Sequence, residues 1–261
     1  VRSGGLLELF DAQLPFELTD GQKEVAAQIQ SDMDADHPMH RLLQGEVGSG
    51  KTIVALRAAL TVVDSGGQAA LLAPTEVLAA QHLRTIQKLL GELGQGGMLG
   101  GSEKATQVTL STGSQSVAAR KEALAMAANG SAGIVIGTHA LLGEKVEFKD
   151  LGLIVVDEQH RFGVEQRDAL KEKAVLPPHL LVMTATPIPR TLQFSLMGAR
   201  DLSIINTPPP NRQPVQTEVQ VFNEDNIRDA IYYETERGGQ VFFIHNRVAS
   251  LGEMAALIRG L

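Results

Sequence analysis

The stretch that decides the fold reads Leu42-Leu43-Gln44-Gly45-Glu46-Val47-Gly48-Ser49-Gly50-Lys51-Thr52. Its last eight residues match the pattern G-x-x-x-x-G-K-[ST] in full, between a short apolar run and a helical stretch. Glycines in such a loop let backbone N–H groups surround a phosphate, and the following helix directs the positive end of its dipole at the same anion. We therefore predict a nucleotide-phosphate site formed by Gly45, Glu46, Val47, Gly48, Ser49, Gly50, Lys51 and Thr52.

Two side chains of this loop have specific expected roles. Lys51 is expected to reach the β- and γ-phosphates, and the Thr52 hydroxyl is expected to hold Mg²⁺. The competing interpretation is a glycine-rich turn that happens to precede a helix. That interpretation explains the glycines but gives Lys51 and Thr52 no purpose, so we favour ATP with Mg²⁺.

An apolar run from Leu153 to Val156 ends in the acids Asp157 and Glu158. Asp157, at the end of a buried strand, is expected to hold Mg²⁺ through water, and Glu158 is expected to orient and deprotonate the attacking water. Adjacent carboxylates repel each other unless a cation lies nearby. The alternative is a solvated turn, which the upstream phosphate loop disfavours. An adjacent pair of acids favours hydrolysis over phosphoryl transfer to a small acceptor molecule.

Strand-like and helix-like segments alternate along the chain, which predicts an α/β fold with a mostly parallel sheet covered on both faces. The predicted strands are Leu42–Leu43, Ala69–Ala73, Val108–Ser111, Gly133–Gly137, Leu151–Val156 and Leu180–Met183. The predicted helices are Thr52–Val63, Glu76–Leu90, Val117–Ala128 and Glu165–Ala174.

Pro208-Pro209-Pro210 cannot continue a helix or a central strand and predicts a stiff linker. A strand at 215–222, a helix at 223–237, a strand at 241–244 and a helix from Val248 follow it. We expect a lead-in at 1–15, an ATP-binding lobe at 16–206, a linker at 207–213 and the truncated start of a second lobe at 214–261. The start at Val1 suggests a chain cut from something longer.

The composition by itself argues against a nucleic-acid partner. The formal charge is −7 and aromatic residues make up only 4% of the 261 residues, whereas nucleic-acid proteins are often basic and single-strand binders use aromatic rings. The chain has no cysteine, which excludes disulfides and thiolate metal sites and fits the cytoplasm. No apolar run approaches the roughly 18 residues of a membrane span.

Longer strings narrow the interpretation to a family. Residues 157–164 (Asp-Glu-Gln-His-Arg-Phe-Gly-Val), 183–191 (Met-Thr-Ala-Thr-Pro-Ile-Pro-Arg-Thr) and 72–82 (Leu-Ala-Pro-Thr-Glu-Val-Leu-Ala-Ala-Gln-His) resemble RecG-like superfamily 2 DNA helicases and translocases. From about Gln193 onward, residues 201–205 and 238–243 look closer to the transcription-repair coupling factor of the same group. The resemblance covers essentially the whole chain, and its motifs outweigh the acidic composition.

This resemblance implies two RecA-like lobes with ATP between them. It implies that Gln22 contacts the adenine base and that Phe16 stacks on it. A capping box, with Thr19 as N-cap and Gln22 three residues later, is the other interpretation, and the two are compatible. The family pattern also makes His160, Thr184 and Thr186 the residues that couple nucleotide state to DNA.

The resemblance further implies DNA as the partner, duplex or branched, in fork processing, repair and recombination. Contacts to the phosphate backbone are expected from loops after three strands, at Pro74, Thr75, Thr112, Gly113, Thr138 and His139. Ordinary turn chemistry is the alternative for each loop. The arginine finger, the remainder of the second lobe and an accessory DNA-binding domain would belong to the rest of the parent chain.

An RNA helicase remains open from the sequence, as do two further functions. One is the motor of a transcription-repair coupling factor. The other is a nucleotide- and partner-binding module with negligible turnover, because the arginine finger lies outside the chain. The remaining histidines lack metal-ligand spacing, and we expect them to be solvated or packed in the core: His37, His40, His82, His179 and His245.

Overall fold

The computed structural model describes residues 4–96, 105–143, 146–157, 173–174, 176–186, 201–207 and 215–261. The chain divides into two compact units, Val1–Asn211 and Arg212–Leu261, and each unit is described by itself. No helix among the described residues is both long enough and apolar enough to cross a membrane.

A sheet of seven parallel strands organises the first unit. The strands are β1 (His40–Gly45), β2 (Gln68–Leu72), β3 (Gln107–Ser111), β4 (Ala132–Gly137), β5 (Leu151–Asp157), β6 (His179–Thr184) and β7 (Asp201–Ile205). Their spatial order is β3-β4-β2-β5-β6-β1-β7. Because all the strands are parallel, their carboxyl ends share one edge of the sheet, and β1 meets this edge between β6 and β7.

Five helices of the first unit are described. They are α1 (Leu6–Gln13), α2 (Asp20–Met33), α3 (Lys51–Asp64), α4 (Glu76–Leu90) and α5 (Val117–Asn129). The prediction of an α/β fold with a parallel sheet is confirmed, and all six predicted strands are present. The helix predicted at 165–174 lies almost entirely outside the described residues.

The strands are buried on both faces, as a parallel sheet requires. Leu43, Val155 and Leu181 point into the core cluster that also contains the apolar side of α3. Their neighbours Leu42 and Val156 point into a second cluster on the opposite face. This alternation explains why the strands read as continuous apolar runs, with successive side chains entering different cores.

The residues expected to form a lead-in contain α1, which packs into the first unit. Leu6, Leu7 and Phe10 are buried. The N–H groups of Leu6 and Leu7 donate to the two carboxylate oxygens of Asp64, at 2.7 and 3.0 Å. Since Gly5 supplies no side-chain cap, Asp64 satisfies donors that the start of every helix leaves open.

The edge strand β7 is held by polar contacts. Arg41 in β1 donates to Ser203 Oγ at 2.8 Å and pairs with Asp32 at 2.7 Å. Ser203 Oγ in turn donates to Gln28 Oε1 of α2 at 2.5 Å. These contacts link β7 and α2 to β1.

His179 begins β6 in a half-buried position. Its Nδ1 accepts a hydrogen bond from Met39 N–H at 2.9 Å. Burial lowers the pKa of His179, and nearby Asp32 partly offsets this effect. The hydrogen bond from Met39 leaves Nδ1 unprotonated, and the lowered pKa favours the neutral imidazole.

The second unit contains α6 (Glu224–Glu236), a short 3₁₀ turn at Val248–Ser250 and α7 (Leu251–Gly260). Its predicted helices are confirmed, but the strands predicted at 215–222 and 241–244 are wrong, because no strand is assigned among the described residues of this unit. A strand requires a hydrogen-bonded neighbour, and Val219 is 96% exposed. A β-like apolar pattern alone does not supply that neighbour.

Candidate functional site

The phosphate loop connects β1 to α3. β1 ends at Gly45, Ser49 N–H donates to Glu46 O at 3.0 Å, and α3 begins at Lys51. Gly48 and Gly50 adopt left-handed backbone conformations with φ of 83° and 86°. Residues 46–48 are exposed, so the curved backbone of the loop faces the surroundings beside the start of a 14-residue helix.

Two close approaches explain why glycine occupies the ends of this loop. A Cβ at Gly45 would lie 2.5 Å from Ser49 Oγ, and a Cβ at Gly50 would collide with Gln22 Nε2. Ser49 is itself 4% exposed, and its hydroxyl has no hydrogen-bond partner among the described residues. The N-terminus of α3 likewise receives no side-chain cap. A buried hydroxyl without a hydrogen-bond partner and a helix N-terminus without a side-chain cap are both expected in a loop that binds phosphate.

Lys51 folds back over the loop. Its Nζ donates to Gly45 O at 2.7 Å and to Glu46 O at 2.9 Å. The ammonium group therefore lies against the mouth of the loop, where an incoming phosphate would accept the same donors. Thr52 follows in the first turn of α3.

Gln22 links the start of α2 to the phosphate loop. Its Oε1 accepts from Thr19 N–H at 3.0 Å while its own N–H donates to Thr19 Oγ1 at 3.3 Å, which confirms the capping box. Its Nε2 also donates to Ser49 O at 2.8 Å. Phe16 is 49% exposed and lines an open cavity of about 650 Å³ together with Lys23. Of the two predicted base-binding residues, Gln22 therefore contacts the phosphate loop directly, whereas Phe16 lines a cavity whose walls include no residue of that loop.

Asp157 ends β5 at the carboxyl edge of the sheet. The parallel register aligns it with Met183, which is aligned with Leu43 of β1. Two strand spacings put Asp157 about 10 Å from β1. Its Oδ2 lies 2.6 Å from Nε2 of His82 in α4. Glu158 and His160 lie outside the described residues.

A magnesium site at this edge would take few protein ligands. Among the residues that the structure describes, no group of three or more His, Asp or Glu side chains is placed to hold a metal ion. Mg²⁺ in nucleotide sites is typically held by one or two side chains together with water and phosphate oxygens. One carboxylate from Asp157 and one hydroxyl from Thr52 fit that pattern.

β6 ends beside β1, which brings the predicted coupling residues next to the phosphate loop. Thr184 is aligned with Gln44 and is 4% exposed. Its Oγ1 accepts from Thr186 N–H at 3.1 Å, so Thr184 shapes the turn that leaves the strand. This local turn contact is compatible with the predicted coupling role of Thr184.

The predicted DNA loops follow β2, β3 and β4, which are neighbours in the sheet. Pro74 and Thr75 precede α4, and Thr75 Oγ1 caps it by accepting from Leu78 N–H at 3.2 Å. Glu76 Oε1 accepts from Ser114 N–H at 3.0 Å, which ties the start of α4 to the loop after β3. The structure therefore brings these loops together at one edge.

Two of the predicted DNA-contacting threonines are not presented to the surface. Thr112 is 2% exposed and Thr138 is 4% exposed, and Thr138 Oγ1 accepts from Ala140 N–H at 3.4 Å. Gly113, between the loop's polar groups, is exposed. A phosphate would therefore meet backbone groups here more readily than threonine hydroxyls. The side chain of His139 is not among those described.

His82 is the residue of this site that sequence reasoning missed. It was expected to be an ordinary solvated or core histidine. It is instead paired with Asp157, 75 positions away along the chain. No local pattern reveals such a pair, because it depends on how α4, which packs against β3 and β4, is placed relative to the end of β5.

Comparison with known proteins gives the context of this site. Residues 19–194 match the family described as DEAD/DEAH box helicase. The chain is 52% identical over 254 residues to the ATP-dependent DNA helicase RecG of Mycobacterium tuberculosis (strain CDC 1551 / Oshkosh), covering 95% of this chain and 34% of that protein. It is 42% identical over 247 residues to the transcription-repair-coupling factor of Bacillus subtilis (strain 168), covering 94% of this chain and 20% of that protein.

A solved structure described as RecG bound to a three-way DNA junction is similar in fold. It is 36% identical, with a TM-score of 0.77, and the match covers 99% of this chain and 33% of that one. The chain therefore spans about a third of the length of the RecG proteins that it resembles.

Proposed function

The chain belongs to the DEAD/DEAH box helicase family, and from this premise we propose that it is the ATP-binding motor part of a RecG-like ATP-dependent DNA helicase or translocase. The observation that carries the proposal is the phosphate loop of 45–52 at the same sheet edge as Asp157. The sequence identity to RecG favours branched DNA, replication forks, repair and recombination as its setting. Its proposed location is the cytoplasm.

ATP binding would use groups whose positions are already arranged. Lys51 exchanges its hydrogen bonds to the Gly45 and Glu46 carbonyls for hydrogen bonds to the β- and γ-phosphates. The new hydrogen bonds are charge-assisted, because the ammonium group and the phosphate oxygens carry opposite charges. The backbone N–H groups of the loop and of the first turn of α3 surround the phosphate chain. On the α2 side, Phe16 stacks on adenine and Gln22 contacts its edge.

Hydrolysis would depend on the two acids after β5. A bound Mg²⁺ would neutralise phosphate charge, and Asp157 and Thr52 are the side chains that would hold it. Glu158 accepts a proton from the attacking water and orients it. Thr184, Thr186 and His160 respond to the nucleotide state from the neighbouring strand end.

DNA would bind along the loops after β2, β3 and β4. The exposed backbone at Gly113 and at Thr75 would offer N–H groups to phosphate oxygens, contacts that position a duplex without reading its sequence. Such contacts do not require the basic or aromatic composition that the chain lacks. The net charge of −7 leaves most of the electrostatic attraction to the rest of the parent chain.

The second unit is proposed to begin a second RecA-like lobe. Its apolar residues Val219, Val221 and Phe242 are more than four-fifths exposed, as expected of strand-forming segments that need further strands. The partner would be the remainder of the parent chain, which would supply the arginine finger and an accessory DNA-binding domain.

The alternative within the same family is the motor of a transcription-repair coupling factor, which the 42% identity to the Bacillus subtilis protein keeps open. The alternative from another class is a module that binds nucleotide and partners with negligible turnover. The coupling-factor motor and the binding module share the phosphate loop. They differ in the rate of ATP hydrolysis, which DNA is expected to stimulate only in the motor.

The test measures ATP hydrolysis, with and without branched and linear duplex DNA, by the 261-residue chain and by the full-length parent protein. We expect the parent protein to be stimulated by DNA, and its Glu158→Gln variant to bind ATP normally and lose turnover. Normal turnover in that variant would remove the proposed role of Glu158. Strong DNA-stimulated turnover by the 261-residue chain alone would show that the motor needs no further parts.

A further inference from the structure

We propose that His82 is a positioning residue for Asp157, holding that carboxylate in the orientation that serves the metal–nucleotide site. The inference rests on the proposed function and extends it to a residue outside the loop and the acid pair. Nε2 of His82 lies 2.6 Å from Oδ2 of Asp157, and the two side chains are 13% and 17% exposed. A largely buried contact of this length is a directional, charge-assisted hydrogen bond.

His82 lies on the core-facing side of α4, which indicates a role beyond packing. α4 buries Ala79, Ile86 and Leu90, and His82 follows Ala79 by three residues and precedes Ile86 by four. It therefore lies on the core-facing stripe of the helix, where an apolar side chain would pack without cost. A polar ring on this stripe is costly unless it is paired, and its partner here is the carboxylate at the end of β5.

The chemistry of the pair assigns the imidazole tautomer. An ionised carboxylate only accepts hydrogen bonds, so Nε2 carries the proton that it donates to Oδ2. The other oxygen, Oδ1, receives no hydrogen bond from the described residues. With one oxygen fixed by His82, the second is presented in a single orientation, so the carboxylate loses less rotamer freedom when it meets a hydrated cation. Outer partners of metal-binding side chains commonly act in this way.

The pair also lies on the helix that connects a predicted DNA loop with the proposed metal site. The first turn of α4 is tied through Glu76 to Ser114 in a predicted DNA loop, and two turns further along the same helix His82 contacts Asp157. A rigid helix thus touches both the DNA-facing edge and the metal-binding acid. A shift of α4 would move the partner of Asp157.

The test uses His82→Phe, which keeps a ring and removes the donor, and His82→Gln, which keeps an N–H donor of similar reach. His37→Phe is the matched control, because His37 is exposed and contacts only its neighbour Asp36 among the described residues. In each variant of the 261-residue chain, binding of a fluorescent ATP analogue is titrated without Mg²⁺ and against Mg²⁺ concentration. Far-UV circular dichroism checks folding.

We expect His82→Phe to raise the Mg²⁺ concentration for half-maximal effect by roughly tenfold and to leave Mg²⁺-free nucleotide affinity within about twofold. His82→Gln restores most of the loss, and His37→Phe changes nothing. An unchanged Mg²⁺ requirement in folded His82→Phe would overturn the role of His82, as would a folded His82→Gln that is equally impaired. Absence of nucleotide binding by the unaltered chain would instead overturn the proposed function.

A second measurement does not depend on the stability of any variant. The ¹⁵N resonances of the imidazole, assigned by their absence from the His82→Gln spectrum or by selective labelling, report which ring nitrogen carries the proton. We expect the Nε2–H tautomer in the unaltered chain. An Nδ1–H tautomer would overturn the proposal, because Nε2 then has no proton to donate to Asp157.

Discussion

Replacing Gly50 by alanine tests how the phosphate loop is built. Gly50 has φ of 86°, and an added Cβ would collide with Nε2 of Gln22. Alanine therefore carries two costs at this position, a left-handed backbone and the displacement of Gln22. Gly66 is the matched control, because its φ is 90° and an added Cβ meets no atom within 4 Å. Alanine there carries the backbone cost alone.

The expected magnitudes follow from these contacts. A left-handed alanine costs roughly 1 to 2 kcal/mol, which is the expected loss in the free energy of unfolding for Gly66→Ala. Displacing Gln22 breaks its 2.8 Å hydrogen bond to Ser49 O inside the protein and leaves polar groups unsatisfied, at roughly 1 to 3 kcal/mol more. Gly50→Ala should therefore destabilise the first unit by roughly 2 to 5 kcal/mol.

Urea denaturation followed by far-UV circular dichroism is the appropriate assay. The chain has no tryptophan, and both tyrosines lie in α6 of the second unit, so intrinsic fluorescence does not report on the first unit. The collision is isolated by a double-mutant cycle with Gln22→Ala. In that background Gly50→Ala should cost no more than Gly66→Ala. Equal costs of Gly50→Ala with and without the Gln22 side chain would refute the reasoning.

Three further predictions concern other contacts of the first unit. Asp64→Ala should lower the free energy of unfolding by roughly 0.5 to 2 kcal/mol and speed amide exchange at Leu6, because it removes the cap of α1; unchanged exchange would contradict the capping role. Burial lowers the pKa of His179 more than Asp32 raises it, so stability should be full above its ordinary value of 6.5 and fall as pH drops below it; His179→Asn should flatten this dependence in pH-resolved denaturation. Lys51→Ala should weaken ATP binding by roughly 10- to 100-fold in calorimetry without unfolding the chain, since it removes a charge-assisted phosphate contact.

The parts of the fold that the sequence predicts are those with local signals. The glycines of the phosphate loop, the apolar strands and the capping box at Thr19 each depend on neighbouring residues, and the structure contains all of them. β7 was missed because only Ser203 and Ile205 of its five residues are buried. Its place beside β1 depends on Arg41, far away in the sequence.

The predicted strands of the second unit fail for a related reason. Residues 215–222 have a strand-like composition, but strand formation depends on a neighbouring strand and not on composition alone. The pairing of His82 with Asp157 is equally non-local. The position of Asp157 at a strand end predicts its role, but no local pattern indicates a partner contributed by a helix 75 residues earlier.

The Gln22 side chain takes part in the capping box and is also the proposed contact for adenine. Its carbonyl oxygen is used by Thr19 N–H and one N–H of its amide is used by Ser49 O. A primary amide has a second N–H, so the capping box and the Ser49 contact still leave a donor for an adenine ring nitrogen. A base bound there would be joined through one planar amide to the start of α2 and to the phosphate loop. Base recognition and loop geometry would then be coupled, and Gln22→Ala should weaken ATP binding more than it weakens binding of triphosphate alone.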